Sequence, residues 1–405
     1  MASILRTGRH LASHRRRLRR LSRRTTIQSP VRGAPGNDRS RADPPQRQRT
    51  PRRHGQRSPA VSEAITIIIP HYRAEVLYDC LASLYEHSDH PIRVLVIDDG
   101  ENAPSLQRAQ AAFPQIEILR NKSNLGFTGS CNRGLDATLT RYAILLNDDT
   151  RVEPNWLSPL VAMAESDPRI AACQPKLRSA TEPDLFDYGG GAGGYIDALG
   201  YTFCRGRLFD TRERDDRQYD ASVPLFWACG SALFLRVAAA REVGFLDLDF
   251  FMHFEEVDLC WRLQLADYQI RAVPQSVIFH HSGFSLPPTS YRKSYLNHRN
   301  NIVMLCKNQP LSRLLWLLPL RLSLEFFATI NYLRQGQWSS AFAPCIAWLW
   351  CLTHPHNIYR RRRQSQTTRR VATARDGVYA GSVLYQHFAR GVKRASALLP
   401  EGRAL

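Results

Sequence analysis

Arg141–Thr150 reads RYAILLNDDT: a short apolar run, Tyr142 to Leu146, that passes into Asn147, Asp148 and Asp149 with no Gly or Pro between. As a buried strand it would end in three side chains that burial penalises, so the polar end needs a partner or a site to serve. Upstream, ITIIIP (65–70) is a β-branched run stopped by Pro70, and IRVLVIDDG (92–100) is a second buried run ending in Asp98, Asp99 and Gly100. Between them EVLYDCLASLYEHS (75–88) sets Val76, Leu77, Cys80, Leu81 and Leu84 at helical spacing. QIEILR (115–120) supplies a third strand, and the polar stretch NKSNLGFTGSCNRG (121–134) with a following helix leads back into RYAILLNDD. Strands alternating with helices predict an α/β domain with a mostly parallel central sheet. Ligands of such sheets bind beyond the carboxyl ends of the strands, which is where these acids fall.

The 405-residue chain, 43% hydrophobic and 22% charged, can bury a large core. Its net charge of +19 is concentrated: residues 1–60 hold 17 Arg, no Lys, and only Asp38 and Asp43 as acids, so +15 of the excess lies there. Nearly devoid of bulky apolar residues, the segment 1–62 cannot offset the entropy of ordering and is expected to be a disordered tail. Its Arg-rich make-up resembles a transit peptide, and equally suits contact with anionic lipid or nucleic acid, or a solvated arm with no partner. The nine cysteines are scattered, odd in number and free of C-x-x-C, which argues against a disulfide framework and against structural zinc. A reducing compartment and no secretory signal peptide are expected.

Asn147, Asp148 and Asp149 offer hard oxygen ligands on adjacent residues, suited to Mg²⁺ or Mn²⁺. Such an ion keeps several waters and completes its shell with substrate phosphates, which points to a nucleotide-diphosphate substrate. The plainer alternative is that the acids punctuate strand ends as turn formers. A second acidic cluster, FEEVDLCWRL (254–263), reads as a helix in which Glu255 and Asp258 share a face while Glu256 points elsewhere. Asp258 lies four residues before Arg262, so an intrahelical ion pair accounts for it equally well. A carboxylate near a helix start, flanked by aromatic residues, suits a general base for a hydroxyl nucleophile. Further on, VPQSVIFHHSGFS (273–285) ends an apolar strand in His280 and His281, either of which can join oxygen ligands on a metal.

Six blocks, ITIIIPHYR, VLVIDDG, NKSNLGFTGSCNRG, AILLNDDT, FEEVDLCWRL and FHHSGFS, occur in an order and at a spacing that resemble family 2 glycosyltransferases with the GT-A fold, most closely the rhamnosyltransferase-like branch. The resemblance covers roughly residues 64–310 and implies inverting transfer from a nucleotide-diphosphate sugar, with dTDP-rhamnose favoured, aided by Mg²⁺ or Mn²⁺. By position, Pro70, Tyr72 and Asp98 would line the nucleoside pocket, and Asn124, Gly126, Phe127 and Asn132 the loop over the nucleotide. Asn147 and Asp149 fall on the ends of the D-x-D motif, with Asp148 between them able to compensate for the neutral Asn147. Glu256 falls on the catalytic base, with Glu255 and Asp258 as nearby acids, and His280 on the metal histidine, with His281 as the alternative. Three departures stand out: Arg73 where Asn is common, Asn147 in place of the first Asp, and Glu256 in place of Asp.

The glycine-rich run Gly189–Gly194 follows no strand signal and is expected to form a mobile loop over the acceptor site. Past residue 310 the apolar stretches are broken by Arg321, Glu325, Arg334 and Pro344, and neither reaches ~18 uninterrupted apolar residues. Trp316, Trp338, Trp348 and Trp350 beside Arg360–Arg363 fit a segment lying on an anionic membrane surface, with an ordinary helical subdomain as the rival. The expected organisation is a tail (1–62), a catalytic domain (63–310), an apolar helical region (311–363) and a C-terminal tail (364–405). The enzyme would work in the cytoplasm at the inner face of the membrane, on a saccharide or lipid-linked acceptor in cell-surface polysaccharide synthesis. Two rival classes are weaker. A sugar nucleotidyltransferase would need a Gly-rich, Arg-containing phosphate loop after the first strand, and a nucleic-acid-binding scaffold would not account for the six blocks.

Overall fold

The computed structural model describes residues 64–72, 74–100, 103–282 and 290–399. The segment 1–62 and Arg73 lie outside them. In chain order the strands are β1 (Ile65–His71), β2 (Ile92–Asp98), β3 (Glu117–Arg120), β4 (Tyr142–Leu146), β5 (Thr150–Val152), β6 (Ile170–Ser179), β7 (Gly194–Asp197), β8 (Thr202–Cys204), β9 (Arg207–Leu208), β10 (Thr211–Arg212), β11 (Ala232–Arg236), β12 (Gln269–His280) and β13 (Val378–Tyr379). Eight of them form the main sheet in the order β3-β2-β1-β4-β11-β6-β12-β5. Strands β3, β2, β1 and β4 run parallel, β11 is antiparallel to both neighbours, β6 and β12 are parallel, and β5 closes the edge antiparallel. The sheet is thus the mostly parallel one that the alternating runs predict.

Ile67, Ile68 and Ile69 are fully buried, as are Leu95, Val96 and Ile97. Side chains on both faces of these strands are covered, which explains why their sequences are continuous apolar runs and do not alternate. Helix α1 (Leu77–His87) buries Leu77, Cys80, Leu81 and Leu84, four of the five positions its spacing picks out. Each such side chain withdrawn from water contributes about 1.5–3 kcal/mol. Helices α2 (Pro104–Ala112), α3 (Gly126–Asp136) and α4 (Leu157–Ser166) complete the crossovers, and α5 (Val237–Glu242) and α6 (Glu255–Leu265) lie between β11 and β12.

A second sheet, β10-β9-β8-β7-β13, is antiparallel except where β13 joins β7 in parallel. The Gly189–Gly194 run leads into it and is not a loop open to solvent. Gly190 to Gly194 are buried, Leu177 N–H donates to the Gly191 carbonyl at 2.8 Å, and a Cβ on Gly194 would fall 2.1 Å from the Trp227 ring. Close packing, not mobility, is what requires glycine here, and the expectation of a mobile lid is corrected accordingly.

Four longer or shorter helices and one long one follow the sheets: α7 (Tyr291–Asn308), α8 (Leu311–Arg334), α9 (Trp338–Ala341), α10 (Ala343–Thr353) and α11 (Pro355–Gln366). By length and composition α8 could cross a bilayer, and 28% of its most apolar window is buried. Arg321 and Glu325, the charges that break its apolar run, face inward: they pair at 2.9 Å, Arg321 donates to the Leu199 carbonyl at 3.0 Å, and His298 meets the Glu325 carboxylate. Leu315, Trp316, Phe326 and Phe327 face out. The segment after α11 runs back to the second sheet, where Val378 pairs with Ile196 and Glu213 Oε1 accepts from Ala395 N at 2.7 Å.

Candidate active site

The polar end of RYAILLNDDT sits where three strands meet. β4 delivers Asn147 opposite Ser231 at the start of β11, with Asn147 N donating to the Ser231 carbonyl at 3.0 Å. β12 delivers His280 opposite Thr150. Asn147 Nδ2 lies 3.2 Å from His280 Nε2, and Asp149 Oδ1 lies 3.1 Å from the same nitrogen. Asp149 is buried, and this Oδ1 accepts no hydrogen bond of good geometry. The other face of the ring is fixed: Asp187 Oδ2 is 3.1 Å from His280 Nδ1, and Asp187 Oδ1 accepts from Ser282 at 2.8 Å. Burial alone would lower the His280 pKa, but Asp187 and Asp149 outweigh it and lift it to about 10. His281 is exposed, and its backbone N–H donates to the Asp149 carbonyl at 3.0 Å. The histidine in the cluster is therefore His280.

A buried carboxylate oxygen, an amide and an imidazole anchored at its far nitrogen by a carboxylate form a donor set that fits a hard divalent cation. Ligation and protonation at His280 Nε2 exclude one another, so the proton held there is the one a cation displaces. Among the described residues, no three His, Cys, Asp or Glu side chains gather as a complete cage. Asp148 turns the other way. Its Oδ2 lies 2.7 Å from His71 Nδ1, whose Nε2 is 3.1 Å from Ser105 Oγ, so it is tied to β1 and does not stand in for Asn147. Burial pushes the Asp148 carboxyl above its usual range, against the pull of His71.

The acids after β2 divide their work. Asp98 is buried at the strand end, with Oδ1 accepting from Gly100 N at 3.1 Å and Oδ2 at 3.6 Å from Arg120. Asp99 organises the next loop, accepting from Asn121 Nδ2 and Leu125 N at 2.8 Å each and from Gly126 N at 3.0 Å. Asn124 Oδ1 also accepts from Gly126 N, at 3.0 Å. Gly126 has φ +70°, and a Cβ there would lie 2.7 Å from the Phe251 ring and carbonyl. Pro70 is half-buried and Tyr72 exposed at the end of β1. Asn132 is engaged elsewhere: both ends of its amide bond the backbone of Leu246, at 2.7 and 3.0 Å, which clasps α3 to the core and takes it away from the loop over the nucleotide.

The second acidic cluster follows a strained turn. Phe251, His253 and Phe254 all have positive φ, 65–69°, a conformation costing non-glycine residues about 1–3 kcal/mol each. Glu255 and Glu256 open α6 directly after it. A Cβ on Gly230 would lie 3.1 Å from Phe127 and 3.8 Å from the Glu256 Cβ, so the loop carrying Phe127, the start of β11 and Glu256 converge. Burial raises the Glu256 pKa, opposed by backbone N–H groups of Glu256, Val257 and Gly230. Glu255 is raised further, by burial and then by Glu256. Neither Glu255 Oε2 nor Glu256 Oε2 has a hydrogen-bond partner. Asp258 differs: wholly buried, it receives Arg262 Nε, Lys307 Nζ and Asn308 Nδ2, each at 2.8 Å. That network holds its carboxyl below the usual range despite burial and removes it from any acceptor, so its place among the catalytic acids is corrected to the intrahelical ion pair with added partners.

Two members of the site were not picked out from sequence. Asp187 has no local signal, since a lone acid in LFDYGG is ordinary and its partner is 93 residues away. His71 stands in PHYR beside two residues that were picked, and the acid it meets is 77 residues on.

The sheet order, with acids at its carboxyl edge and a loop gathered by Asp99, is that of the GT-A fold. Residues 66–241 match the family model described as Glycosyl transferase family 2. Over that stretch the chain is similar to the family 2 glycosyltransferases, rhamnosyltransferases among them. It is similar to the N-acetylglucosaminyl-diphospho-decaprenol L-rhamnosyltransferase of Mycobacterium tuberculosis, 28% identical over 245 residues that cover 56% of this chain and 78% of the relative. It is also similar to the pre-mycofactocin glycosyltransferase of the same organism, 28% identical over 234 residues, 57% of this chain and 45% of the relative. Among solved structures it aligns with GalNAc-T7 bound to UDP, GalNAc and Mn²⁺, with a TM-score of 0.49 and 16% identity over 61% of this chain and 48% of the other.

Proposed function

We propose that the chain catalyses inverting transfer of a sugar, with dTDP-rhamnose the favoured donor, from a nucleotide diphosphate to a hydroxyl of a saccharide or lipid-linked acceptor in cell-surface polysaccharide synthesis. One observation carries the reading: the buried Asp149 Oδ1 faces a histidine braced from behind by Asp187, at the sheet edge where the diphosphate of a bound donor belongs. Asn147, Asp149 and His280 would hold Mg²⁺ or Mn²⁺, which when bound supplies Lewis-acid stabilisation of the departing diphosphate. Pro70, Tyr72 and Asp98 line the nucleoside, and Asn124, Gly126 and Phe127 cover it. Glu256 takes the proton of the acceptor hydroxyl as that oxygen attacks the anomeric carbon from the face opposite the leaving group, and this single displacement inverts configuration. The raised pKa of Glu256 suits a base whose conjugate acid must not be too weak a proton holder. Residues 63–310 make up the catalytic domain in this reading. The exposed aromatic face beyond it meets the inner face of the membrane, where a polyprenyl-diphosphate saccharide of the kind named for the mycobacterial relative would be presented.

A panel of nucleotide sugars, including dTDP-rhamnose, UDP-N-acetylglucosamine, UDP-glucose and GDP-mannose, tests the reading by metal-dependent hydrolysis and by protection against thermal unfolding. At least one donor is expected to bind only with Mg²⁺ or Mn²⁺ present. Asp149→Ala should abolish that binding, and Glu256→Gln should keep it while lowering turnover by about 10²–10⁴-fold. Failure of every donor to bind in the presence of either metal sinks the proposal.

A further inference from the structure

The turn that delivers Glu255 and Glu256 is held by two adjacent side chains from another helix, Asn300 above all. Asn300 of α7 is completely buried, and its Nδ2 donates to three carbonyls of the turn: Phe250 at 3.1 Å, Met252 at 2.9 Å and His253 at 2.8 Å. Two hydrogens serving three acceptors means that one bond is shared, and the three acceptors lie within or directly before the segment 251–254, in which Phe251, His253 and Phe254 have positive φ. The orientation of the amide is fixed as well. Arg299 Nε and Nη2 donate to Asn300 Oδ1 at 2.8 and 2.6 Å, and a guanidinium can only donate, so the NH₂ group must face the turn. Arg299 Nη2 reaches on to the Asp249 carbonyl at 2.7 Å.

The helix that follows has no cap of its own. Phe254, in the left-handed region, is the N-cap residue of α6 and makes no side-chain capping bond. The backbone path from Phe250 to Phe254 therefore sets where the first turn, and the carboxylate of Glu256, comes to lie. α7 also grips the far side of that turn, where Lys307 and Asn308 bind Asp258. One helix brackets the glutamate pair from both flanks.

We propose that Asn300, oriented by Arg299, is a positioning residue for glycosyl transfer: it holds the Phe250–Phe254 backbone in its strained form and thereby places Glu256 against the acceptor hydroxyl. The inference rests on Glu256 being the base. It deepens that reading by assigning a role to a residue on a helix that lies outside the matched family region.

The test uses the full-length protein and the nucleotide sugar that wild type hydrolyses fastest in the donor panel. Asn300→Ala should lower single-turnover hydrolysis about 10²-fold, the scale of loss from an ångström of misplacement, with donor Kd within about twofold of wild type. Arg299→Leu, which leaves the NH₂ group in place and frees the amide to turn, should give a milder loss of about tenfold and guards against an Asn300→Ala protein that does not fold. In hydrogen exchange, the amides of Glu255–Val257 should exchange faster in both variants, while those of β1, β2 and β4 stay protected. That measurement needs no donor and decides the dependence of the turn on Asn300 by itself. A rate within about threefold of wild type, a parallel loss of donor affinity, or faster exchange across the whole sheet would overturn the positioning role. Glu256→Gln run alongside separates the two ideas. If it keeps the wild-type rate, the base assignment fails; if it is inactive while Asn300→Ala turns over normally, only the positioning role fails.

Discussion

Glu255 and Glu256 are neighbours in sequence with unlike surroundings, and that contrast is open to measurement. Glu255 is nearly fully buried with one oxygen unpaired, and its folded-state pKa is raised by burial and by Glu256. A carboxyl whose pKa is higher folded than unfolded contributes most stability below the unfolded value, and loses it as pH rises towards the folded one. Glu255→Gln cannot ionise, so its melting temperature should match wild type near pH 4 and exceed it by about 2–4 °C at pH 8. A gap that closes as pH rises would contradict the assignment. For Glu256 the same direction of shift places the acid limb of the rate profile above the ordinary carboxylate range, and Glu256→Gln should erase that limb. Asp149 was legible in the sequence because an apolar run pointed straight at it. Asp187 and His71 were not, because their meaning lies in partners brought by other strands, and no local spacing encodes a contact across 93 or 77 residues.

At the scale of elements, the strands and the helix α6 follow from apolar periodicity, and the departures occur where packing overrides it. FEEVDLCWRL predicts a helix from Phe254, and the helix begins at Glu255 because Phe254 is spent on the left-handed turn. The glycine run was misread because composition alone cannot separate glycine needed for freedom from glycine needed for lack of a Cβ. Gly126 combines both needs, with φ +70° and the Phe251 ring and carbonyl where a Cβ would be. Gly126→Ala should therefore destabilise the protein by about 1–3 kcal/mol and weaken donor binding about tenfold, read by denaturant melts and donor titration. Unchanged donor affinity would detach this loop from the nucleotide.

Taken whole, the molecule wears part of its apolar surface outside. On α8 the buried positions are the ion pair Arg321–Glu325, Leu314, Leu317 and Thr329, while Phe326 and Phe327 are 63% and 64% exposed. Phe342 and Trp338 extend the patch, and a cavity of about 380 Å³ lined by Leu322, Phe326, Phe327, Pro344 and Trp348 opens between α8 and α10. Sequence reading took Arg321 and Glu325 as interruptions of an apolar stretch. Their inward direction, which no linear window can display, leaves the outward stripe nearly unbroken. The full chain should sediment with anionic vesicles, and replacing Phe326, Phe327 and Phe342 together by Ser should weaken that association about tenfold at fixed salt. Vesicle binding indifferent to the triple change would move membrane attachment away from this patch.

The return of the chain to the second sheet has a consequence for its birth. β7 lies near residue 195, yet its parallel neighbour β13 comes from residues 378–379, and the buried Asp197 Oδ2 and Glu213 Oε1 accept from the backbone of Val383 and of Ala395 and Ser396. A nascent chain on the ribosome can assemble the main sheet early, but until residues 378–396 have emerged it must carry an open β-edge and two buried acids lacking those donors. Chaperone demand should fall once residues 378–396 have emerged, and a chain stopped at residue 370 should be degraded or aggregate even with every catalytic candidate present.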